Sequence, residues 1–154
     1  MYVDGNLVVS GSVANGSFSG QTVTGTGNVL STNTVDLLQA RDLGEGEDFY
    51  LRALVTTAEA GATSVEIQAI AADDAALSTN VTVIGSSGAV PVASLTAGAR
   101  FAVELNPRIG SKGQRYIGAR YVITGTSTAG AIYADFGIEV QDGQKIYPAG
   151  FSVL

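Results

Sequence analysis

The chain has 154 residues and 45% hydrophobic side chains, enough for one domain with a real core and too apolar for wholesale disorder. Charged residues are only 14% and the net charge is −6, which argues against a nucleic-acid partner, because phosphate binding needs clustered Lys and Arg. Histidine, cysteine and tryptophan are absent, which excludes a Ser-His-Asp triad, disulfides and thiolate metal sites.

Met1 to Asn28 is dominated by Gly, Ser, Thr and Asn after a short apolar start at Val3 and Leu7 to Val9. Too few apolar residues are present for an independent core, so the segment reads as an extended arm with one or two edge strands. Val29–Leu38 reads as a strand, since Thr and Val suit a pleated surface, and Gln39–Asp48 as an acidic, glycine-broken turn. Phe49–Thr57 and Ser64–Ala71 alternate with period two and read as two strands joined by a loop at Ala58–Ala62. Ala72–Asn80 is expected to be a loop. Two brief strands follow, Val81–Gly85 and Ala89–Ser94, with Pro91 marking an edge.

Ala99–Gly125 is the clearest pair of strands. Phe101, Val103 and Leu105 share a face on its first arm; Ile117, Ala119, Tyr121 and Ile123 share one on its second. Large residues on both faces place the second arm mid-sheet. Between the arms, Pro107–Gln114 reads as the exposed loop of a hairpin. After a turn at Thr126–Gly130, Ala131–Val140 and Ile146–Leu154 complete about eight short strands without a convincing helix.

That pattern predicts an all-β fold: an eight-stranded antiparallel jelly-roll sandwich over 29–154 with an extended arm over 1–28. An immunoglobulin-like sandwich is the alternative.

Candidate chemistry is sparse. Asp73-Asp74 lacks the alternating oxygen ligands of a calcium loop. Asp42, Glu45, Glu47 and Asp48 read as a solvated turn or as a salt-bridging patch against a partner, ahead of an ion site. Asp135 and Glu104 lie among apolar neighbours, and a cross-strand partner such as Arg52, Arg100 or Arg120 accounts for them more simply than a glycosidase pair does. No catalytic residue, cofactor site or metal site is expected. No apolar run reaches the ~18–20 residues of a membrane helix, and MYVDGNLVVSG lacks the features of a secretory signal. The expectation is a protein made in a cytoplasm, with no membrane partner. Arg108, Lys112 and Arg115 gather positive charge in and beside one loop of an acidic chain. They read as a solvated loop or as a docking surface.

Four stretches carry a family resemblance: STNTVDLLQARDLGEGEDFYLRALV from Ser31, PVASLTAGARFAVELNP from Pro91, QRYIGARYVITG from Gln114 and IYPAGFSV from Ile146. In these stretches and their order the chain resembles the jelly-roll cement (decoration) proteins of tailed-bacteriophage heads. The resemblance implies a structural virion protein on the outer capsid surface. It would bind the major capsid protein and itself, as a homo-oligomer (a trimer ahead of a dimer), without cofactor or catalysis. The ends are the expected coat contacts: Tyr2, Val3, Leu7, Tyr147, Pro148 and Phe151. Arg108, Lys112, Arg115 and Tyr116 are the expected self-association residues. The rival reading is a carbohydrate- or cell-surface-binding β-sandwich module.

Overall fold

The computed structural model describes residues 3–39, 48–105, 114–138 and 140. In chain order the strands are β1 (Val8–Ser10), β2 (Ser12–Ala14), β3 (Ser17–Ser19), β4 (Gln21–Thr22), β5 (Gly25–Leu30), β6 (Val35–Asp36), β7 (Tyr50–Ala72), β8 (Thr82–Pro91), β9 (Arg100–Glu104) and β10 (Tyr116–Gly137). Two 3-10 turns, Gly5–Leu7 and Val92–Ser94, complete the regular structure. All pairings are antiparallel. Eight strands form one sheet, and β2 and β3 form a separate hairpin. The all-β antiparallel expectation holds.

The organising element is a ribbon of two very long strands. β7 has 23 residues and β10 has 22. They pair from Tyr50↔Gly137 at one end to Ala72↔Tyr116 at the other. Here the structure corrects the element boundaries. Ala58–Ala62 and Thr126–Gly130 are not connections between separate strands: Ala60 pairs with Ala129 and Ala62 with Gly125. Gly61 (φ +85°) and Gly125 (φ +89°) sit where the register shifts. Their freedom at positive φ is used for bulges inside a continuous ladder instead of for turns. Likewise Val81–Gly85 and Ala89–Ser94 are not two strands: β8 runs unbroken to Pro91, Val92–Ser94 is a 3-10 turn, and β8 lies at the margin of the sheet as expected.

The hairpin expected over Ala99–Gly125 is also corrected. Both arms are strands, but they do not pair with each other. β9 pairs with the start of β7 (Leu51↔Val103), whereas the first half of β10 pairs with the end of β7 (Ile117↔Ala71). The second arm is mid-sheet, as its two-faced apolar pattern implied: β7 lies on one side, β5 and β6 on the other. Val29–Leu38 divides into β5 and β6, because Ser31 interrupts the strand. Its Oγ accepts from the Ala119 amide at 3.0 Å and donates to the Asn33 carbonyl at 2.9 Å.

The bulges fold the ribbon over, giving two layers. One comprises β9, the first half of β7, the second half of β10, then β4 and β1. The other comprises β8, the second half of β7, the first half of β10, then β5 and β6. One apolar core joins them: Leu51, Val55, Val103, Ile132 and Phe136 meet Val65, Ile67, Ile84, Ile117 and Tyr121. Each fully buried side chain of this size contributes roughly 1.5–3 kcal/mol. Two contacts pin the layers. The buried Tyr121 hydroxyl donates to Ser10 Oγ at 2.8 Å. Gly85 lies so close to β9 that a Cβ would sit 2.5 Å from the Glu104 carbonyl oxygen.

Parts of the outer faces are covered too. The β2–β3 hairpin turns through Asn15 (φ +51°) and Gly16 (φ +75°), the positive-φ pair of a type I′ turn. It lays Phe18 edge-on against Tyr133, with centroids 4.9 Å apart. On the other layer Leu77 packs with Ile70, Ala72 and Tyr116.

Candidate contact surfaces

The charged side chains of the described residues are mostly spent inside the chain. Arg52 on β7 faces Asp135 on β10 because the two are register partners. Arg52 donates from Nε to Oδ1 at 3.0 Å and from NH2 to Oδ2 at 2.6 Å. Both residues are buried, Asp135 completely. Gly137 makes room, since a Cβ there would lie 2.6 Å from the guanidinium carbon. Burial pushes the Asp135 carboxyl up, and Arg52 works against that shift. The cross-strand arginine partner inferred for Asp135 is therefore present. A second network joins Arg120 to Gln68 at 2.8 Å and Gln68 to Glu66 at 2.7 Å, with Ser86 donating to Glu66 at 2.5 Å.

Asp73 and Asp74 hold their own turn. Asp74 accepts from the Ser78 and Thr79 amides and from Ser78 Oγ at 2.7–2.9 Å. These donors pull its carboxyl down to about 2. Asp73 accepts from Asn80 Nδ2 at 2.6 Å. Among the described residues no group of three or more Asp, Glu, His or Cys is placed to hold a metal ion.

Of the expected self-association residues, Arg115 and Tyr116 are described; Arg108 and Lys112 lie outside the described residues. Arg115 precedes β10 and grips Asp36 of β6 with two hydrogen bonds, both 2.7 Å. Its guanidinium carbon lies 5.1 Å from the Tyr116 ring centroid. The hydrogen bonds hold Asp36 below and Arg115 above their usual ranges. Arg115 is exposed, yet its charge is matched within the chain, so it presents a paired, amphipathic edge.

Of the expected coat contacts, Val3 and Leu7 are half-buried, and Leu7 packs against the core. Asp4 caps the 3-10 turn beneath them by accepting from the Asn6 amide at 2.9 Å. Tyr2, Tyr147, Pro148 and Phe151 lie outside the described residues. Because Val8 pairs with Asp135 antiparallel, the residues just before β1 share an end of the sheet with the end of β10. Ile138 is 57% exposed and Val140 49%. Leu38, just beyond β6, is 73% exposed. These three apolar side chains were not singled out in the sequence, because there they looked like ordinary members of alternating strands.

No residue between Asp4 and Asp36 is charged. This stretch supplies β1, β4, β5 and the first residue of β6, so the flank along β10 carries a single charge, Asp36. Its edge is partly closed by Gln21, whose side chain donates to the Leu30 carbonyl at 2.6 Å and accepts from the Thr32 amide at 2.9 Å. A carboxamide thereby satisfies backbone groups that a neighbouring strand would otherwise take.

Sequence reasoning also missed Glu59. It fell in the expected loop, but it lies inside β7, is only 7% exposed and receives Ser127 Oγ at 2.9 Å. Burial pushes its carboxyl up. The available signal was its isolation: from Thr56 to Ser64 it is the only ionisable residue.

The model of the Bbp16 family matches residues 17–136, well over half of the chain, from β3 to the next-to-last residue of β10. No curated protein matches the sequence. The chain belongs to the Bbp16 family.

Proposed function

We propose that this Bbp16-family chain is a structural virion protein, a cement protein on the outside of a tailed-phage head that stabilises the coat lattice. Its partners on this reading are the major capsid protein and further copies of itself, as a trimer ahead of a dimer. It would be made in the host cytoplasm and end on the capsid surface. No catalysis and no cofactor is involved.

The observation that carries the proposal is the resemblance running from Ser31 to Val153. The chemistry of the described residues is compatible with it. Arg52, Asp135, Asp74, Glu66 and Gln68 hold strands and turns. What faces outward includes the apolar Leu38, Ile138 and Val140 and a flank whose one charge, Asp36, is paired with Arg115. Repeated copies of such a surface, engaged together, make individually weak contacts cumulatively strong.

The carbohydrate-binding alternative needs exposed aromatic platforms. Among the described residues Tyr121, Tyr133 and Phe136 are buried, and Phe18 packs on Tyr133.

The test compares heads lacking this protein with complete ones. Complete heads should withstand higher temperature, and purified protein added back should restore the difference. Equal heat stability would refute the cement role. Light-scattering mass of the free protein decides the oligomer.

A further inference from the structure

At the fold of the ribbon, Glu59 sits in a box of oxygen atoms that is short of hydrogen. Its Oε1 is buried without a hydrogen-bond partner. Its Oε2 is 2.9 Å from Ser127 Oγ. The same Ser127 Oγ lies 3.1 Å from the Val23 carbonyl oxygen and 3.3 Å from that of Ala129. One hydroxyl carries one hydrogen and cannot serve three acceptors. Gly130 leaves the space that the carboxyl fills, since a Cβ there would fall on the carboxyl group itself.

Among the described residues no countercharge is at hand. The segments packed here are residues 20–27, 55–65, 92–99 and 124–131, and Glu59 is the only ionisable residue in any of them. An ionised carboxylate at 7% exposure, sharing one hydroxyl with two carbonyl oxygens and with no described cation beside it, is strongly disfavoured. A second hydrogen eases the deficit. Neutral Glu59 donates from Oε2 to Ser127 Oγ, and Ser127 passes its own hydrogen to the Val23 carbonyl. Val23 in turn donates its amide to the Gly130 carbonyl at 3.0 Å. The chain of bonds thus ties the β4–β5 connection to both long strands.

We propose that Glu59 and Ser127 form a proton-held latch: the folded sandwich keeps Glu59 as the neutral acid, and loss of that proton loosens the Val23 segment from β10. Burial raising the Glu59 carboxyl agrees with this. The sign follows from linkage. The native state binds the proton more tightly than the unfolded chain. The latch is therefore complete below the ordinary glutamate range and is lost as pH rises through the folded-state value. Asp36, Glu66 and Asp74 are shifted downward and act at the acid end instead.

The test is the Glu59→Gln variant, whose amide is neutral at every pH. Across the window above pH ~4.5, the wild-type folded-to-unfolded ratio should fall by up to about tenfold per pH unit relative to the variant. Parallel profiles would overturn the proposal. Carbon-13 titration of labelled glutamate carboxyls in the wild type gives a direct reading even if the variant folds poorly. One resonance should titrate above the usual glutamate range, and its absence would also overturn the latch. Hydrogen exchange tests the coupling. Protection of the Val23 amide should drop above that midpoint in the wild type alone. Equal protection in both proteins would refute the loosening.

Discussion

Breaking the Arg52–Asp135 pair should cost far more than breaking a surface ion pair, and the structure says why. The two side chains are 9% and 0% exposed, and they meet with two hydrogen bonds across the central ribbon. Replacing Arg52 by methionine keeps a long side chain but strands a carboxylate where water does not reach. Removing one partner of a buried pair costs about 3–5 kcal/mol. In a chain of this size about 1 kcal/mol moves the melting temperature by roughly 2–4 °C, so R52M should melt roughly 6–20 °C lower. The double variant R52M/D135L removes both charges and should recover most of the loss, because an apolar pair carries no desolvation penalty. Acid should also shrink the R52M deficit, since protonation relieves the stranded charge. Urea unfolding of the wild type, the two single variants and the double variant at one fixed protein concentration measures the coupling. If R52M costs less than about 1 kcal/mol, or if the single losses simply add in the double variant, the buried-pair reasoning fails.

Other outcomes follow from the same structure. Tyr121→Phe removes the hydroxyl that reaches Ser10 across the layers and should cost about 1–3 kcal/mol in urea unfolding, with the fold intact by circular dichroism. Gly85→Val places a branched side chain against the β9 backbone and should destabilise by at least about 1–3 kcal/mol; a neutral result would mean the layers are not as close there as described. Asp74, depressed to about 2, stabilises the 73–80 turn above its unfolded range. That contribution should fade as pH falls from about 4 toward 2, and Asp74→Ala should flatten this part of the acid-unfolding curve.

Much of the fold was legible where side chains alternate. Leu51, Val55, Ile67, Ile117, Ile132 and Phe136 point inward because period two and apolarity agree, and all are buried. Continuity was not legible. Gly61, Gly125 and Gly130 are turn residues by composition, and only the partner strand decides that two of them are bulges in a ladder instead. Pairing was lost for a related reason. The run from Arg100 to Gly125 resembles a hairpin locally, yet β7 offers each arm a better partner, and strand pairing is settled by tertiary contacts that local pattern does not encode. Asp135 pointed to a buried arginine because a charge in an apolar strand requires a partner. The only local sign at Glu59 was its isolation among uncharged residues, because its burial depends on Gly130 and Ser127, about 70 positions away.

The placement of β10 has a consequence for biosynthesis. β1, β4, β5 and β6 are made first, and all four find their sheet partner in β10, the last strand described. Val8 waits for Asp135, and Val29 waits for Tyr121. On the ribosome the N-terminal quarter of the chain therefore emerges with open backbone edges and no strand to close them. With only Asp4 and Asp36 charged, it has little electrostatic defence in that interval, while its many glycines and short strand lengths keep it a poor template for aggregation. Assembly of the sandwich is thus timed by the emergence of one strand late in synthesis.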